Sequence, residues 1–319
     1  MMANSWCLMM VGTLLAGAVA NAGEPTPDAD PRAAQTRVLQ AIYREGADRY
    51  EFFADAERET KLTREVQPVL HWASPNDWSG DIFVWQRLGR PEVVGCILSG
   101  PANAGGRMFF HEFHALTLKP LPPQQLPDGK VWAPESTGVE FRPIPDAPLP
   151  ADAKPARLVQ MRNLAKQFDV RTHFDNAEWE LRLLPQPMFR YQPPPQNASP
   201  DWLDGALFTY VLTTGTDAEV LILIEARKTE GGAWQWQYAP ARITNRPAWI
   251  RLGEEEVWRV EGHSEEAGTI TRPYTTFYAG TRSMNELKPG AGPAREAIKA
   301  SAADGEEKPA PLPAPSAPK

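Results

Sequence analysis

The sequence predicts an α+β protein built from a helix-plus-four-strand unit that occurs twice. The strands are expected to form antiparallel sheet, pseudo-symmetric between the halves and either open or curled into a half-barrel. Three observations lead there. A hexapeptide, Gln67-Pro68-Val69-Leu70-His71-Trp72, is answered by Gln186-Pro187-Met188-Phe189-Arg190-Tyr191. The landmarks that follow recur in order: Gly80 to Trp85 with Gly205 to Tyr210, Glu92-Val93-Val94 with Glu219-Val220-Leu221, and Gly105-Gly106 with Gly231-Gly232. A repeated order of landmarks marks a repeated supersecondary unit. Each set is also preceded by a helical pattern, and the strands are joined by links short enough to make them antiparallel neighbours.

Taken in order, residues 1–22 read as a cleaved signal peptide. The apolar run Cys7 to Ala20 is too short to span a bilayer as a helix of about 20 residues, and Ala20-Asn21-Ala22 has the small-x-small pattern of a cleavage site. Residues 23–118 form the first repeat. Pro31 to Thr60 reads as a helix, because Val38, Leu39, Ile42 and Tyr43 fall at helical spacing behind an Asp30-Pro31 start. From Leu62 the pattern changes to strands, with a hairpin at Leu88-Gly89-Arg90-Pro91 and a third strand from Arg107 to Leu118. Prolines crowd residues 119–155, which read as a surface connection.

The second repeat, with a terminal hairpin, occupies 156–262. Its helix runs from Ala156 to Phe168, and its strands are Trp179 to Tyr191, Leu207 to Thr213, Glu219 to Ala226 and Trp234 to Ile243. Residues 263–289 read as an irregular extension. The Ala, Pro, Lys and Glu of 290–319 cannot bury enough apolar surface to repay ordering entropy, so that segment reads as a disordered tail.

Composition bounds the function. Behind the predicted leader only Cys96 remains, so an exported chain must draw its stability from a core rather than from disulfides. At 319 residues and 42% hydrophobic, the chain is long enough to bury one. Cys96 itself, within Val93 to Leu98, reads as a small buried hydrophobe. The net charge of -7 argues against a nucleic-acid partner, which normally leaves a basic footprint. No segment beyond the leader is apolar for long enough to span a membrane.

No catalytic motif of high specificity is present. His111-Glu112-Phe113-His114 is the one cluster resembling an acid–base or metal site, and on a strand it sends His111 and Phe113 to one face and Glu112 and His114 to the other. Aligned with Trp236-Gln237-Tyr238-Ala239, the pair Glu112 and His114 falls on the face expected to be polar. There the two side chains either orient each other for proton transfer, share a metal, or form a solvated or hydrogen-bonded pair. The sequence assigns no metal and no cofactor. His71, His173 and His263 have no second ligand type beside them at a recognised spacing.

Aromatic residues are the better lead. Trp234, Trp236 and Tyr238 alternate with glutamines as one core-facing strand face would. Asp77-Trp78 and Asp201-Trp202 each precede the glycine-led strand of a repeat. They read either as plugs at the start of that strand or as a shared rim for a glycan or other extracytoplasmic ligand. Asn197-Ala198-Ser199 fits a glycosylation sequon.

Gly80 to Trp85, His111 to His114, Gly138-Val139-Glu140-Phe141, Gly205 to Phe208 and Trp236-Gln237-Tyr238 together resemble an uncharacterised family of exported bacterial proteins, over roughly residues 35 to 260. The resemblance implies export and supplies no mechanism. The expectation is therefore a secreted or periplasmic binding or structural module. The alternatives are an exported hydrolase using Glu112 and His114, metal-dependent or not, and a glycan-binding module using the loop aromatics.

Overall fold

The computed structural model describes residues 31–103, 105–195, 201–264 and 269–288. The signal peptide, the tail and the sequon lie outside them. Helix α1 (Pro31–Asp48) opens the chain, followed by β1 (Thr63–Arg64), β2 (Leu70–Ala73), β3 (Ser79–Arg87), β4 (Arg90–Pro101) and β5 (Arg107–Ala115). The proline-rich connection supplies β6 (Gln124–Gln125), a 3-10 turn, β7 (Val131–Trp132) and β8 (Arg142–Pro143). Helix α2 (Lys154–Ala165) then leads to β9 (Phe168–Phe174), β10 (Ala177–Leu183), β11 (Phe189–Tyr191), β12 (Trp202–Leu212), β13 (Ala218–Lys228) and β14 (Trp234–Arg242). The hairpin β15 (Ala248–Leu252) and β16 (Glu255–Val260) follows, and β17 (Thr269–Ile270) and β18 (Tyr274–Arg282) close the described chain.

The strands form mostly antiparallel sheets, one of them curled into a half-barrel, and the described residues contain two α-helices. The sheet is not continuous across the halves. Sheet I has the order β1-β3-β4-β5-β18 with β2 paired on β3. Sheet II runs β16-β15-β9-β10-β12-β13-β14-β8 with β11 paired on β12. A third, small sheet joins β17, β7 and β6, and its β17–β7 ladder is parallel.

Side-chain alternation then dictates the layers. Ile82, Val84, Val94 and Cys96 of sheet I share one core with Leu207, Leu221, Leu223 and Ala239 of sheet II, so the two sheets pack face to face. The opposite face of sheet I buries Phe83, Trp85, Ile97 and Phe113 under Leu39, Ile42 and Tyr43 of α1. The opposite face of sheet II buries Phe208, Tyr210 and Ile222 under Met161, Leu164 and Ala165 of α2. The order is helix, sheet, sheet, helix. Both strand faces are covered, which explains why β4 and β13 are nearly continuous apolar runs.

The same local pairings appear in both sheets. Trp72 stands opposite Gly80, and Tyr191 opposite Gly205. A Cβ at Gly80 would meet the Trp72 ring at 2.8 Å, and one at Gly205 would meet the Tyr191 ring at 2.5 Å. Glycine is required at each position for the ring to lie flat on the strand. The N–H of Leu116 donates to Glu92 O and that of Ile243 to Glu219 O. Each long hairpin carries a register shift near its turn, after Trp85 and after Tyr210.

Three expectations need correction. Helix α1 stops at Asp48 rather than Thr60, because Tyr50 and Phe52 turn into the core against Phe113 and Trp85, with ring centroids 4.5 and 5.1 Å apart. The predicted strand Trp179 to Tyr191 is two strands, β10 and β11, broken at Pro185 and Pro187. The stretch 263–289 is not irregular throughout, since β18 pairs along nearly the whole of β5. Its run of aromatic and β-branched residues, Tyr274-Thr275-Thr276-Phe277-Tyr278, is the available signal.

Candidate functional site

On β5, Glu112 pairs opposite Cys96 and His114 opposite Val94, so both point into the core between the sheets, while His111 lies opposite Ile97 on the α1 side. The predicted split of faces is therefore observed. The predicted polarity is not, because that face is covered by sheet II and both side chains are buried. The register also moves the correspondence by two residues: with Val93 and Val220 in equivalent positions, Ala115 answers Arg242, so Glu112 and His114 answer Ala239 and Ala241. An even shift leaves every face unchanged.

His114 is engaged on both sides. Its Nδ1 lies 2.9 Å from the carbonyl oxygen and 3.2 Å from the N–H of Arg242, and Nε2 lies 3.1 Å from the carbonyl of Gly138. Whichever nitrogen carries the proton, main-chain groups occupy both. Burial depresses its pKa to about 4, so the ring is neutral at ordinary pH. Glu112 accepts a hydrogen bond from the Tyr274 hydroxyl at 3.2 Å. Burial and then the nearby Glu219 raise its pKa to about 8, which makes it a protonated acid at neutral pH. A cavity of about 310 Å³ borders this cluster through His114, Arg242, Trp258, His263 and Tyr274. Among the described residues no group of three or more His, Cys, Asp or Glu is arranged to hold a metal ion.

The two Asp-Trp pairs do not share a rim. Trp78 and Trp202 are both buried in the core between the sheets, where Trp78 packs on Phe110 and Trp202 on Tyr191. Ser74, which bonds Trp78 O, lies beside the β12–β13 turn, where Thr216 Oγ1 accepts the Ala73 N–H at 3.3 Å. Trp202 begins β12, so the length of that strand separates the two indoles. Asp77, its side chain 73% exposed, pairs with the buried Arg107 at 2.6 Å and so covers a charge.

Asp201 and Trp202 do line a cavity, a groove of about 500 Å³, with the β3–β4 turn and the start of the connection. This volume is within the range of small-molecule sites, roughly 300–1,000 Å³. Arg87, Arg90, Glu92 and Thr117 supply its polar wall, and Leu62, Leu118 and Leu121 are among its apolar residues. Arg90 is 5% exposed and crosses between the sheets, its Nε donating to Glu225 Oε1 at 2.8 Å and its Nη1 to the carbonyl of Leu116 at 2.9 Å. Tyr191 and Arg227 bond the same carboxylate. Arg90 Nη2 and Thr117 Oγ1, both buried, have no hydrogen-bond partner among the described residues. Glu92, flanked by Arg87 and Arg90 at 3.6 and 3.7 Å, has its pKa raised by burial.

Sequence reasoning missed Arg90 because its turn position suggested solvent, whereas its partner Glu225 lies 135 positions away. It also missed a second pairing. Register places His71 opposite Asp81, Nδ1 to Oδ1 at 2.5 Å, with Asp81 fully buried and the His71 side chain 34% exposed. Pairing β2 with β3 from the short link between them would have found it. Neither cavity described above includes this pair.

No family description, curated protein or solved structure matches the chain.

Proposed function

We propose that the protein is an exported bacterial binding module, built from a duplicated α+β unit, whose ligand occupies the groove between the β3–β4 turn and Trp202. The observation that carries this reading is the coincidence of a cavity of small-ligand size with two unpartnered buried polar atoms in residues of its wall, Arg90 Nη2 and Thr117 Oγ1. A buried donor without an acceptor costs about 1–3 kcal/mol, which a ligand supplying the acceptor would recover. Duplication is supported by the recurrent pairings of Trp72 with Gly80 and of Tyr191 with Gly205. Export is supported by the apolar run and the Ala-x-Ala site of the first 22 residues.

The hydrolase reading draws less support. His114 spends both nitrogens on main chain, and Glu112 is buried and protonated at neutral pH, so neither is poised to take a proton from a substrate. The test is a small-molecule library screened by thermal shift against the wild type and against Arg87→Ala and Leu118→Asp. Hits that stabilise the wild type and are lost in both variants are expected. Hits indifferent to both variants, or turnover of any ester or glycoside that disappears in Glu112→Gln, would overturn the reading.

A further inference from the structure

We infer that the groove ligand is a neutral, hydroxyl-rich molecule of the sugar class, anchored by Arg90 and Thr117. This deepens the groove reading and rests on it. The charges at the wall balance: Arg87, Arg90, Lys119 and Arg227 face Asp55, Glu92 and Asp201, with Glu225 directly behind Arg90 and Arg227. Asp55 is already committed, accepting the N–H groups of Glu59 and Thr60 on its two oxygens. A ligand with net charge would meet no surplus of the opposite sign, and desolvating it would cost more than the wall returns.

What the lining residues carry is both donors and acceptors. Arg90 Nη2 can only donate, Thr117 Oγ1 can do either, and Glu92 and Asp201 can accept. A hydroxyl is the common group that satisfies both kinds at once. The apolar remainder of the lining, which includes Leu62, Leu118, Leu121 and Trp202, suits the C–H face that a sugar ring presents opposite its hydroxyls. A flat aromatic ligand would leave the polar wall unmatched, and a simple anion would leave the apolar wall uncovered.

The experiment is calorimetric titration of the full chain with glucose, galactose, xylose and N-acetylglucosamine as neutral probes, glucuronate and citrate as anions, and lysine as a cation. The wild type, Thr117→Val, Asp201→Ala and Arg87→Ala are compared, with melting temperatures measured in parallel to exclude unfolding. Saturable binding of a neutral sugar is expected, weakened about tenfold by Thr117→Val at unchanged melting temperature. Groove-dependent binding of an anion or of lysine without any sugar would overturn the inference while leaving the groove reading standing. Sugar binding indifferent to all three variants, or no binding of any probe, would overturn both.

Discussion

His114 in β5 meets the main chain of Arg242 in β14, with Nδ1 2.9 Å from the carbonyl oxygen, and so ties sheet I to sheet II across 128 positions of sequence. The same ring reaches Gly138 in the connection at 3.1 Å. A residue whose type suggested proton transfer thus works as a clamp between layers. Its removal leaves buried main-chain groups without partners, at about 1–3 kcal/mol each. His114→Ala is expected to lower unfolding free energy in urea by about 2–5 kcal/mol while leaving ligand binding in the groove intact.

The pH dependence has two limbs of opposite sign. Folded His114 and His111 are held near 4 and 3, mainly by burial, against an ordinary value of 6.5. The unfolded chain therefore binds more protons, so their contribution is full above about pH 6.5 and is lost as pH falls through their folded values. Glu112 runs the other way: its pKa rises from 4.5 to about 8 on folding, so its contribution is full below about pH 4.5 and is lost as pH rises through 8. Glu112→Gln is expected to flatten the alkaline fall in melting temperature, measured from about pH 6 to 9, and to leave the acid limb unchanged.

Arg90 and Glu225 form a buried pair between the sheets. Removing one partner strands the other, and Arg90→Met or Glu225→Gln is expected to cost about 3–5 kcal/mol. Replacing both with leucine is expected to restore only part of that loss, because Arg227 and the Tyr191 hydroxyl lose the same carboxylate. A double-mutant cycle by denaturation measures the coupling.

Gly80→Ala and Gly205→Ala test whether the two halves are built alike. Each new methyl group meets a buried ring at 2.8 or 2.5 Å, and overpacking of this kind costs about 1–3 kcal/mol. Similar losses in both variants are expected by thermal melting. A loss confined to one half would mean that the matching pairings are not equivalent in energy.

The fold was legible where pattern is local. Helical spacing located α1 and α2, apolar runs on either side of turn residues located the long hairpins, and the repeated landmarks include Gly80 and Gly205, which stand opposite Trp72 and Tyr191. Face assignment on β5 survived even an alignment two residues out, because strand geometry has a period of two. What the sequence did not disclose depends on distant contact. Nothing near Glu112 and His114 shows that sheet II covers their face, and nothing near the β3–β4 turn shows that Arg90 reaches Glu225. Residues 263–289 were underread for the same reason, since β18 gains its meaning only from β5, more than 150 positions earlier in the chain. Of the two Asp-Trp pairs, Asp201 and Trp202 reach a cavity, while Asp77 is turned to Arg107.

The most direct measurement is amide hydrogen exchange of the full chain with and without a ligand found by thermal shift. The groove reading predicts added protection at residues 87–92, 117–122 and 201–202, which come together only in the folded groove. Protection confined to the wall formed by His114, Trp258 and Tyr274, or spread with no local maximum, would contradict it.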